Sequence, residues 1–109
     1  MTDEALIREI NTAYRRLSGA TDDLARADRE LADHVRQVRL DNAEAILEAR
    51  NERTANLYLE GLLDTEEHRS LEAGRARAEL GLKHARFEVE RLHLIVRLLG
   101  ARADETMPG

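Results

Sequence analysis

Gly61-Leu62-Leu63-Asp64-Thr65-Glu66-Glu67 sets a helix stop beside a helix start, with long breaker-poor stretches on either side of it. Gly61 can end a helix. Thr65 followed by two acids can begin one, since a hydroxyl accepts from orphan amides and negative charge suits the positive end of the helix dipole. Upstream, the spacing predicts a helix over 22–60. At about 1.5 Å per residue that is nearly 60 Å of rod, too long to stand alone in water. Downstream, a second long helix is predicted over 66–100. Two such rods joined by a turn at 61–65 must run antiparallel as a helical hairpin.

A shorter element precedes the hairpin. Leu6, Ile10, Ala13 and Leu17 share one helical face, and Thr2 with Asp3 and Glu4 suits its start. Ser18-Gly19-Ala20-Thr21 then reads as a break, with Asp22 and Asp23 repeating the start signal. The expected boundaries are therefore a helix over 3–17 and a new one from 22. A kink within one continuous helix is the alternative that the same residues allow. The tail over 101–109 is expected to fray. The whole is read as one all-α domain spanning 1–109, with no strand signal.

Composition agrees. Charged residues make up 36% and there is one proline, Pro108, which is the balance of long amphipathic helices. Three aromatics, Tyr14, Tyr58 and Phe87, are too few for a thick globule. The absence of cysteine removes disulfides, thiolate nucleophiles and cysteine-based zinc sites. No basic-then-apolar leader and no long apolar run is present, so a cytoplasmic location without membrane contact is expected.

At about 100° per residue, the 22–60 helix has a stripe of Leu24, Ala27, Leu31, Val35, Val38, Ala45, Ile46 and Ala49, interrupted by Asn42, Arg53 and Asn56. The last helix answers with Leu71, Gly74, Ala78, Leu82, Ala85, Val89, Leu92, Val96 and Leu99. A turn near residue 63 pairs positions whose numbers add to about 126. Val38 should then face Val89, Leu31 should face Val96, and Ala49 should face Ala78. Small residues at Ala45, Ala49, Gly74, Ala78 and Gly81 would let the axes approach. The polar trio Asn42, Arg53 and Asn56 is read as fixing register within the seam.

A second apolar set lies away from that seam. Leu80, Phe87, Leu94 and Leu98 occupy the opposite face of the last helix, and Leu40, Leu47 and Tyr58 lie off the seam of the other. One hairpin cannot bury both faces. These seven residues are therefore the expected interface, and a homodimer completing a helical bundle is the expected cover, with an unidentified protein partner as the rival.

Chemistry-bearing constellations are sparse. Glu90-x-x-His93 has a spacing used by carboxylate-bridged metal bundles, yet it occurs once where such bundles need it twice. His34 and His93 are expected at similar heights but on opposite flanks. No phosphate loop, nucleophile elbow or metalloprotease motif is present, so no catalytic residue, cofactor or metal ligand is expected. Arg69, Arg75, Arg77, Lys83, Arg86, Arg91, Arg97 and Arg102 make the last helix basic, but they scatter around it and acids intervene. They suit a solvated face complementary to the acidic preceding helix better than a phosphate track.

The segment from Asn42-Ala43-Glu44-Ala45 to Leu98-Leu99-Gly100-Ala101 resembles small helical-hairpin proteins of phages and prophages. There, an arginine- and alanine-rich helix, a short acidic turn and a closing helix recur. That resemblance implies an accessory factor, an inhibitor or an assembly protein, and it carries over no catalytic residue. The expected function is a non-enzymatic protein-binding module. The rivals are a nucleic-acid-binding recombination accessory, whose affinity would fall steeply with salt, and a structural assembly protein.

Overall fold

A computed structural model describes residues 2–106. Among these the chain is all-α, with α1 over Asp3–Asp41, α2 over Ala43–Leu47, α3 over Glu52–Leu63 and α4 over Glu66–Thr106. Two of the three expected start signals, at Thr2 and Thr65, act as read. Thr2 Oγ1 accepts from the Ala5 amide at 3.2 Å, and Thr65 Oγ1 accepts from the His68 amide at 3.2 Å.

The first helix does not stop at residue 17. It runs unbroken through Ser18-Gly19-Ala20-Thr21, which corrects the expected boundaries over 3–17 and from 22. The Thr21 hydroxyl donates back to the Leu17 carbonyl at 2.8 Å, so it is satisfied inside the helix instead of capping a new one. Leu6, Ile10, Ala13, Leu17, Ala20, Leu24, Ala27, Leu31, His34 and Val38 alternate spacings of four and three without a slip. That heptad pattern keeps one apolar face in phase through the glycine.

The expected 22–60 helix ends early, at Asp41. The next heptad position after Val38 falls on Asp41, and the Asn42 side chain donates to the Val38 carbonyl at 2.9 Å. A side chain that competes for backbone partners favours a break here. After the short α2, Asn51 opens α3, its side chain accepting from the Thr54 amide at 2.9 Å. Downstream, α4 passes Gly100 and continues to Thr106, so residues 101–106 are helical where fraying was expected. The remainder of that tail, 107–109, lies outside the described residues.

The contacts divide the chain into two compact units. One consists of the described parts of Met1–Asp22 and Glu79–Gly109; the other is Asp23–Ala78. In the first, Leu6, Ala13, Val89 and Leu92 form a buried cluster with Ile10, Leu17 and Ile95 packed against it, and Leu92 is 1% exposed. In the second, α1 and α4 run antiparallel. The Asp28 carboxylate pairs with Arg75, and the His34 ring lies against His68.

These pairs correct the register. Facing residues have numbers that add to about 102 instead of 126, as 34 and 68 do. Val89 packs with Leu6 and Ala13, not Val38. Residues 42–65 make a detour, not a simple turn, and so shift the pairing by about two dozen positions. The expected close approach at Gly81 is also absent, since a Cβ there would meet nothing within 4 Å.

An exposed helix-interior glycine weakens a helix that does not need it. A Cβ at Gly19 would also meet nothing within 4 Å. Gly19→Ala should therefore stabilise the protein by about 0.5–1 kcal/mol in urea unfolding, whereas a true break at this position would make the substitution neutral or harmful.

Candidate interaction surface

Burial follows the two faces of α4. Leu82, Val89 and Leu92 are buried on one side. On the other, Leu80, Phe87, Leu94 and Leu98 stand 53%, 66%, 55% and 69% exposed. All four belong to the unit that holds the Leu92 cluster. Spacings of seven, seven and four place them on one stripe, since seven residues are nearly two helical turns. This stripe is the face that the sequence left without a seam.

Charge flanks it. Arg91 donates to Glu88 through Nε at 3.1 Å and Nη2 at 2.7 Å, and this hydrogen bonding holds the Glu88 carboxyl below the usual carboxylate range. Of the basic residues of α4, Arg69 pairs with Asp64 at 2.8 Å and Arg75 pairs with Asp28. These exposed pairs add little stability individually, but the contact between Asp28 and Arg75 joins an acidic face of α1 to the basic helix.

The other expected interface residues sit in the second unit. Leu40 and Leu47 line a shallow groove of about 420 Å³ between the end of α1, α2 and α3, together with Ala43, Ile46, Ala55 and Leu59. Leu47 is the most exposed of the large apolar residues, at 84%. Tyr58 lies on α3 outside that lining, 42% exposed. The polar trio does not occupy a seam. Asn42 is half-buried at the break between α1 and α2, while Arg53 and Asn56 are exposed on α3, where Asn56 edges the groove.

Sequence reasoning missed Ile7 and Leu57, both exposed. Ile7 adjoins Leu6 of the buried cluster but points away from it, 57% exposed. His93 is not a partner of Glu90 in a ligand pair. The Tyr14 hydroxyl lies 2.7 Å from its Nε2, and the two rings are 5.9 Å apart. Among the described residues no group of three or more His, Cys, Asp or Glu converges in a way that could hold a metal ion, and no helix is long and apolar enough to cross a membrane.

No family model, curated protein or solved structure matches this chain.

The groove depends on α3 starting where it does. Asn51→Ala removes the side-chain acceptor for the Thr54 amide and should cost about 1 kcal/mol in urea unfolding. An unchanged midpoint would show that Asn51 does not cap α3.

Proposed function

We propose that this chain is a non-catalytic, self-associating helical protein that works by binding protein, with the Leu80, Phe87, Leu94 and Leu98 stripe as its self-contact. The observation that carries this reading is the exposure of that stripe directly opposite the buried side of the same helix. Four large apolar side chains in water are a cost that a second copy removes. Burying each contributes at most about 1.5–3 kcal/mol.

A second copy fits the stripe's own symmetry. A two-fold axis near Phe87 sets Leu80 opposite the second copy's Leu94. Such an isologous contact needs no second kind of surface. The chain also has few other means of burial. Leu6, Ala13, Leu82, Val89 and Leu92 are the buried apolar residues among those described, and no cysteine is available to staple them. The groove lined by Leu40 and Leu47 then remains for a foreign protein. A phage-encoded accessory factor or inhibitor acting in the cytoplasm is the biological setting that fits such a module.

Light-scattering mass across a dilution series, at two salt concentrations, tests the reading. The native protein should keep twice its 12.4 kDa chain mass at both salts, because apolar burial is insensitive to screening. Phe87→Glu should halve the mass while leaving far-UV helicity nearly unchanged. A variant that keeps the native mass overturns the proposed contact.

A further inference from the structure

His34 on α1 and His68 on α4 face each other inside one unit, with ring centroids 5.4 Å apart and planes tilted by 30°. Their side chains are only 13% and 14% exposed. Each ring has a carboxylate on its outer nitrogen. Glu72 Oε1 is 2.9 Å from His68 Nε2, and Glu67 Oε1 is 3.7 Å from His34 Nδ1. The remaining nitrogens, Nε2 of His34 and Nδ1 of His68, are buried and have no hydrogen-bond partner.

Glu72 lies within hydrogen-bond distance of His68 Nε2 and places the proton there, so the orphaned Nδ1 presents a lone pair. Glu67, 3.7 Å from His34 Nδ1, is too far for a hydrogen bond but draws the proton to that side electrostatically, leaving a lone pair on Nε2. Two buried lone pairs on opposing helices need an electron-pair acceptor. A carboxylate on the far nitrogen is also what orients metal-ligating imidazoles and raises their basicity.

The spacing can be checked. With a metal–nitrogen bond of about 2.0–2.1 Å and a ring nitrogen roughly 1.15 Å from its centroid, two imidazoles at the tetrahedral angle hold their centroids roughly 5.2 Å apart. The observed 5.4 Å is within a few tenths of that. A proton shared between the rings would instead join the two nitrogens by a hydrogen bond, and none joins them.

We infer that His34 Nε2 and His68 Nδ1 form a binding site for one divalent transition ion of the zinc class, with Glu67 and Glu72 as the orienting carboxylates. Imidazole donors select zinc, nickel or copper over magnesium and calcium, which prefer oxygen. Two protein ligands leave the other coordination positions to water, so the ion exchanges readily and is not a closed structural zinc. Bridging α1 to α4, it ties the hairpin together. The site lies within one chain, so it is independent of self-association.

Thermal unfolding of the full chain, stripped with chelator and then titrated with zinc, nickel or magnesium chloride, provides the test. Zinc and nickel should raise the midpoint by roughly 10–15 °C at a hundredfold excess over the dissociation constant, and magnesium should not. His34→Gln and His68→Gln should each abolish the shift, and His84→Gln should keep it. Because a seam variant can lose its fold, the native protein supplies a second readout. Ring-nitrogen NMR shifts of His34 and His68 should move on zinc addition while those of His84 do not. No midpoint shift with zinc, a shift that survives both seam variants, or unmoved His34 and His68 resonances would overturn the site.

Discussion

A helix in a thin hairpin can hide one face against its neighbour and no more, and that limit organises this protein. Leu82, Val89 and Leu92 occupy the hidden face of α4, and Leu92 is buried to 1% exposure in a cluster with Leu6, Ala13 and Val89. Everything apolar on the opposite side of α4 is then left in water. The stripe through Phe87 is thus a consequence of the same seam that holds the unit together. Seam and stripe are two faces of one helix.

Much of this was legible from residue spacing. The all-α class, the helix start at Thr65 and the exposed stripe all follow from period and capping chemistry, which are local properties. The continuity of α1 was less so. Gly19 and Thr21 carry real stop and start signals, but local propensity of about 1 kcal/mol is outweighed by a heptad that passes through them in phase. Leu17, Ala20 and Leu24 were the available clue. Conversely, Asn42 and Asn51 look like ordinary interior residues of a long charged helix, and the break they mark shows only where the apolar phase gives out after Val38.

The register error had the widest effect. A hairpin closed at residue 63 sets His34 near Leu92 in number, far from His68. Once 42–65 becomes a detour, the pairing shifts, and the two histidines meet. No motif search finds such a pair, since its spacing in sequence depends on the length of a connection that carries no signal of its own. The candidate ligands and the candidate contact stripe belong to different units, so each answers to its own chemistry.

All of these readings stand on which residues of α1 face which of α4. The chain has no cysteine of its own, so a paired-cysteine crosslink reads that register directly. Ala13→Cys combined with Val89→Cys, oxidised at low protein concentration and resolved by mass under non-reducing conditions, should close an intramolecular disulfide in nearly all molecules, since both positions lie in one buried cluster. Val38→Cys combined with Val89→Cys should stay reduced. The opposite outcome, efficient closure of the 38–89 pair and none of the 13–89 pair, would contradict the seam, and with it the outward stripe and the facing histidines.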